Sequence, residues 1–585
     1  MPSPLSNRSA LLVAVVILML SSCTSPTPGG AGLGGDAEPA SADARKGGEG
    51  SDSTRDGERS KAGSGDQPDE FGDSGAPGGN DGAATAGLGG EPKISGPDVL
   101  DVAIQEPATL DPMRIQDPGS ALVARQLYDG LTRWDAKHGE VRPAAARSWR
   151  ELQSGSRFVF KLRGGMRFHD GSPVTASDFK FAFERIARKR SASDLAYTLE
   201  LVKGFAAVNQ FGDETHLAGV RAPDARTLII KLSEPYRDFP AVLTHPALVP
   251  LERDAVAKSG SFARKPVGNG PFKLAGRWSP GRPIALEAFT GGARDPKLDG
   301  IRFVPYPDAA ASWPEFVEES LDIAEVPAGE IETARQVFGD EGYKPLLAGY
   351  YYGFNIRSDD LDSERLRRAI GRAIDRQEIA TGIYDRSLAD PRGIVPAGIP
   401  GFSKDACKSL CDHSTPAARR LVKELPRGRR QVTLEYTRGR PHGQVAHAVK
   451  RDLSAAGLEV KVRAYDFGVY LRRLSGPKHS MYRLGWIAEY PVADVFLSSL
   501  FESSSPDNHS GLRSDAVDEL LARAHRTASE VRRAGLYRRA EAKILKHAPI
   551  VPIGSFVTRW AAQDRVQGVN FDVMGGFDAA RVGLD

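Results

Sequence analysis

Residues 157–189, RFVFKLRGGMRFHDGSPVTASDFKFAFERIARK, constrain the fold more than any other stretch of the chain. Phe158, Phe160 and Leu162 alternate with Val159, Lys161 and Arg163, the period of a strand with one buried face. Gly164-Gly165 ends the alternation, and Asp170-Gly171-Ser172-Pro173 supplies a turn. A helix follows. Thr175 is placed to cap its first amide groups, Asp178 stands at the reciprocal position of a capping box, and Val174 and Phe179 have the spacing of a hydrophobic staple. Phe179, Ala182, Phe183 and Ile186 then share one helical face. By itself this is a well-made piece of core.

The wording FKLRGGMRFHDGSPVTASDFKFAFER resembles one family in particular. These are the extracytoplasmic solute-binding proteins (family 5) of peptide-type ABC importers, which include oligopeptide-, dipeptide- and nickel-binding members. The resemblance implies an α/β protein of the periplasmic-binding-protein type II fold. Two main lobes would flank a cleft, and a further domain would be inserted in the first lobe. It implies capture of a peptide or similar small solute and delivery to an ABC permease and ATPase complex. It implies no enzymatic activity, cofactor or resident metal.

The amino terminus has the form of a processing segment. Arg8 is followed by an apolar run from Ala10 to Leu20, too short to span a bilayer comfortably, and then by Leu20-Ser21-Ser22-Cys23. This resembles a bacterial lipobox, so residues 1–23 are expected to be a lipoprotein signal with Cys23 lipidated. A membrane association through that anchor on the extracytoplasmic face is then expected. Residues 24–96 are dominated by Gly, Ser, Asp, Ala and Pro, a composition that cannot bury enough apolar surface to order itself. As a flexible tether it reaches about 45 Å.

The remainder, residues 97–585, exceeds a single compact core. With 78 basic and 75 acidic residues the net charge is +3, which provides no field for nucleic acid. The chain is expected to act as a monomer. Besides Cys23 there are only Cys407 and Cys411. Relatives often carry a cysteine pair in this region, and a local disulfide is expected outside the cytoplasm. Zinc is a weak alternative without further ligands.

Val99 to Ile104 is expected to be the first strand. The EPATLDP loop and a helix from Ser120 to Tyr128 follow, with Gly130 as the left-handed residue closing that helix. By resemblance this loop faces the cleft, making Glu106, Pro107 and Ala108 candidate ligand neighbours. VGNGPFKL (267–274) resembles the family element that returns the chain to the first lobe, and Gly268, Gly270 and Pro271 are expected to fix a turn into a strand. YYGFN (351–355) resembles the crossing into the second large lobe, and APIVPI (548–553) the crossing back. The expected lobes are therefore 97–350 plus 548–585, with an inserted subdomain at about 139–264, and 351–547.

MYRLGWIAEYPVADVF (481–496) carries the functional case. Peptide-binding relatives read R-x-G-W-x-A-D-Y here, and the acidic residue pairs with the ligand's α-ammonium. Arg483, Gly485, Trp486, Glu489 and Tyr490 hold the matching places. A carboxylate in a water-poor cleft forms a charge-assisted bond to an ammonium, Gly485 admits close backbone approach, Trp486 and Tyr490 offer contact area, and Arg483 suits a ligand carboxylate. Glu489 replaces the family aspartate, and Val492-Ala493-Asp494 replaces a common D-P, so the amino end of the ligand is held differently or is not an α-ammonium. Core packing is the plain alternative for Trp486.

Two rival classes remain. A secreted hydrolytic lipoprotein would need a nucleophile site, yet the chain lacks G-x-S-x-G, H-E-x-x-H and Walker motifs. His169 is read as structural, and His442 as the start of a helix expected to run to Ala456. A sensory or chaperone-like binding protein without its own importer shares every feature above, and neighbouring transporter genes would separate the two. The absence of a histidine cluster disfavours bare metal as ligand.

Overall fold

The structure is a computed structural model that describes residue 94, residues 96–258 and residues 262–585. The expected signal segment, Cys23 and most of the expected tether lie outside the described residues.

The strand Arg157–Leu162 buries alternate residues, with Phe158 and Phe160 fully enclosed. It pairs antiparallel with Ala146–Leu152 and Thr227–Lys231, and Val220–Asp224 completes a four-stranded sheet. The helix Ala176–Ala187 packs on this sheet. Its capping box is complete, and the Thr175 amide donates to Asp178 Oδ2 at 2.7 Å. Phe179, Phe183 and Ile186 are buried, each contributing about 1.5–3 kcal/mol.

Two six-stranded mixed sheets form the body. In the first, Val99–Gln105 runs parallel to Gly300–Tyr306 from Val99 opposite Gly300 to Gln105 opposite Tyr306. Ile323–Glu325 and Trp560–Ala562 flank it on one side, and Ile284–Ala288 and Phe272–Leu274 extend the other. The second sheet runs in the order Leu388–Ala389, Ile550–Val557, Pro345–Phe354, Met481–Ile487, Gln431–Thr437 and Glu459–Tyr465. Its last two strands are parallel and joined by the helix His442–Ala455, a βαβ unit. One apolar core joins the first sheet to the four-stranded sheet, and another surrounds the second sheet. These are the two lobes.

The chain crosses between lobes in two adjacent segments. Thr558 N donates to Lys344 O at 2.8 Å, and Trp560 N donates to Gly342 O at 3.2 Å. A Cβ on Gly342 would lie 1.7 Å from Trp560 O, so only glycine permits this approach. The expected crossing points shift accordingly. Tyr351 is already deep in the second sheet opposite Pro552, and Ile550–Val557 belongs to that sheet rather than the first. Both apolar runs were long enough to be central strands, and the change of lobe falls at their ends.

Two glycine expectations change in mechanism. Helix Pro118–Leu127 ends with Tyr128 extended, and Gly130 has no left-handed backbone; instead its missing side chain leaves room for the carbonyls of Leu243 and Leu248. Gly268 and Gly270 let their strand approach the helix end, where Cβ atoms would meet Leu127 O at 2.0 Å and Gln126 O at 2.5 Å. Cys407 and Cys411 are joined in a disulfide with Cα atoms 5.5 Å apart.

Candidate interlobe binding slot

A cavity of about 260 Å³ opens between the two lobes. The first lobe contributes Ile104, Gln105 and Trp560 from its sheet, together with the helix start Pro118–Leu122. The second contributes Leu346, Ala348, Ile487 and Phe556. Most of this lining is aliphatic or aromatic. The strands end here, and their terminal residues and following loops face each other across the gap, the usual position for a ligand in an open α/β sheet.

The ionisable groups at the slot are largely engaged with each other. Arg125 pairs with Asp572 at 3.0 Å, and Arg559 pairs with Glu325 at 2.6 Å. Asp117 caps its helix by accepting from Ser120 N at 2.7 Å. Glu489 lies two residues beyond the strand Met481–Ile487, where its Oε2 meets His245 Nε2 of the other lobe at 3.0 Å. His245 Nδ1 accepts from Ala247 N at 3.1 Å, so the ring proton sits on Nε2 and is donated to Glu489. Burial, reinforced by the charge of Arg125, holds the His245 imidazole down at about 3. Burial pushes the Glu489 carboxyl up to about 7. A neutral imidazole therefore faces an acid that titrates near neutrality, and Glu489 Oε1 has no partner among the described residues.

Glu489 also borders a second, smaller hollow with Trp486, Tyr490, Val495 and Ser499 on one side and Tyr197 and Glu200 of the first lobe on the other. The acid thus stands where two interlobe spaces meet. Trp486 is 3% exposed and faces this hollow rather than the main slot, while Tyr490 packs against both cores.

Other expected site residues lie elsewhere. Arg483 is fully buried within the second sheet opposite Tyr352, its guanidinium 4.5 Å from the Tyr350 ring centre, and it lines neither space. Gly485, opposite Tyr350 in the same sheet, is likewise interior. Glu106 turns away and accepts from Gly281 N at 3.1 Å. Pro107 and Ala108 do not border the slot, whose lining from this region is Ile104, Gln105 and Ile115–Gly119. The strand carries through Gln105, and the loop after it packs against neighbouring chain, with Leu110 N donating to Ala263 O at 3.2 Å. His245 was missed. It lies in THPAL, with no periodicity around it, and only the fold brings it to Glu489. His169 is structural, its Nδ1 accepting from Gly268 N at 3.2 Å. Among the described residues no cluster of His, Cys, Asp or Glu is arranged for a metal ion, and no helix is long and apolar enough to cross a membrane.

Two α/β lobes joined by a double crossover around a slot define a solute-binding protein of the type II class. The family model described as "Bacterial extracellular solute-binding proteins, family 5 Middle" matches residues 140–508, and the chain belongs to this family. It is 29% identical over 471 residues to a probable deoxycholate-binding periplasmic protein, YgiS, of Escherichia coli, covering 77% of this chain and 86% of that one. It is 27% identical over 515 residues to the dipeptide-binding protein DppE of Bacillus subtilis, covering 84% and 92%. The murein tripeptide-binding protein MppA, in an unliganded open form, superposes with a TM-score of 0.74 at 22% identity, covering 84% of this chain and 98% of that one. These relatives are binding proteins, and the chain is a binding protein rather than an enzyme.

Proposed function

We propose that the protein is a lipid-anchored receptor which captures a peptide between its lobes and presents it to an ABC permease. Residues 1–23 act as the signal, Cys23 carries the lipid, and residues 24–96 tether the body. The first lobe comprises residues 97–344 and 558–585, with the subdomain at about 139–264 inserted, and the second comprises residues 345–557. The observation that carries this reading is the position of Glu489, on one lobe, facing the other, at the junction of both interlobe spaces. The free Oε1 of Glu489 accepts the ligand's ammonium in a charge-assisted bond while Oε2 keeps its His245 donor. The aliphatic slot receives the apolar part of the ligand without reading it in detail. Closure requires a ligand that binds the closed arrangement better than the open one.

Mass spectrometry of small molecules released from purified protein, followed by calorimetry with those molecules, tests the proposal. Recovery of peptides that bind at a single site and are returned uncleaved supports it. Recovery of a bile-acid-like amphiphile with no peptide binding overturns the peptide reading, and cleavage of the bound peptide overturns the receptor.

A further inference from the structure

The strand Met481–Ile487 has its C-terminal end at the slot. Beyond its other end, past Ser480, lies a separate cavity of about 300 Å³ of opposite character. Arg357, Arg513, His479, His509, Ser505 and Asn508 line it, and no acidic residue does. The arginines are exposed, and neither makes an ion pair among the described residues. Two acids that follow Arg357 in sequence are engaged elsewhere. Asp360 accepts from Ser358 Oγ at 2.6 Å and from Ser480 Oγ at 2.7 Å, and Asp362 is paired with Arg429.

Arg357 is held in place by the loop it lies on. Gly511 has φ +69, and a Cβ there would sit 2.3 Å from Arg357 Nε, so the guanidinium stem rests directly on bare backbone. His509 is 8% exposed, and neither of its ring nitrogens has a hydrogen-bond partner among the described residues. Beneath it, His479 places Nδ1 at 2.7 Å from Gly476 O and Nε2 at 2.8 Å from His509 O. Two unpaired planar forks and a buried unpartnered imidazole, in a lining without a carboxylate, form a donor set suited to a tetrahedral oxyanion.

We propose that this cavity is a second binding site, for a phosphate-type oxyanion, gripped by Arg357 and Arg513 and completed by the ring N–H of His509. The anion comes either from solution or from a lipid headgroup.

The test uses the full chain titrated with inorganic phosphate at constant ionic strength set by chloride, alongside the double variant Arg357→Gln/Arg513→Gln. The expected result is saturable binding at one site, weakened at least tenfold in the double variant. Peptide affinity at the interlobe slot should be unchanged in the variant, which also shows that it is folded. Phosphatidylcholine vesicles with and without phosphatidylglycerol separate the sources. Binding to the anionic vesicles that the double variant loses assigns the headgroup, and phosphate binding without vesicle binding assigns the free ion. Absence of saturable binding to both probes overturns the proposal, as does equal binding by the two proteins. Should the double variant misfold, Arg513→Gln alone is read in the same way, with a threefold or greater weakening expected and no change overturning the site.

Discussion

Arg483 and Glu489 stand six positions apart on one stretch, and sequence resemblance gives both to the ligand. The structure separates them. Arg483 is inside the strand, opposite Tyr352 and stacked on Tyr350, sealed from both interlobe spaces. Glu489 is past the strand's end, where the backbone leaves the sheet and meets the other lobe. Two charged groups with the same expected partner are thus divided by where a strand stops. Within the sheet a charged side chain is enclosed by its neighbours, whereas beyond the strand end it faces the gap.

That contrast predicts different losses at the two positions. Arg483→Ala removes a large, fully buried side chain beside Tyr350 and Tyr352 and should lower unfolding stability by about 3 kcal/mol in chemical denaturation. Peptide affinity measured on the folded fraction should change by less than about threefold, a change of under ~1 kcal/mol. A variant that keeps its stability but loses binding would move Arg483 into the ligand's reach and erase the contrast. Gly342→Ala attacks the crossover that brings Glu489 opposite His245. Its Cβ cannot fit against Trp560 O, and a cost of about 2 kcal/mol is expected from the melting midpoint.

Glu489→Gln should weaken peptides with a free amino end about tenfold, or ~1.4 kcal/mol, with little effect on stability because Gln still accepts from His245. Amino-acetylated peptides should bind the wild type and the variant alike, and calorimetry on the two peptide forms sharpens the assignment to one atom pair.

The smallest effect is in pH. Burial raises Glu489 from its ordinary 4.5 to about 7 in the folded protein. Its contribution to stability is therefore present below about 4.5 and is lost as pH rises through about 7. Ligand affinity runs in the opposite direction. The ionised acid attracts the ammonium, so the affinity of a free-amino peptide should rise severalfold between pH 6 and 8, beyond any change seen with its acetylated form. Parallel profiles for the two would remove Glu489 from the contact.

Much of the fold was legible because local signals agreed. The alternation at 157–162, the Thr175–Asp178 capping box and the helix at 442–455 are each visible in a few residues and appear as expected. Family wording supplied the overall class. What was not legible depends on distant chain. Tyr351 and Ile550 each lie in an apolar run, and nothing local says that the two runs pair, Tyr351 opposite Pro552 and Gly353 opposite Ile550, rather than marking the edges of lobes. Glu106 looked available until Gly281 came to meet it, and His245 acquired a role only when the other lobe arrived. The glycines at 268 and 270 were recognised as special, but their reason, the nearby helix end, is tertiary.

The proposed function requires two lobes that close around a ligand held at Glu489. Small-angle X-ray scattering of the protein with and without a saturating free-amino peptide tests this most directly. A smaller radius of gyration is expected on binding, with a weaker response at equal peptide concentration in Glu489→Gln. An unchanged scattering profile with the peptide demonstrably bound would contradict it.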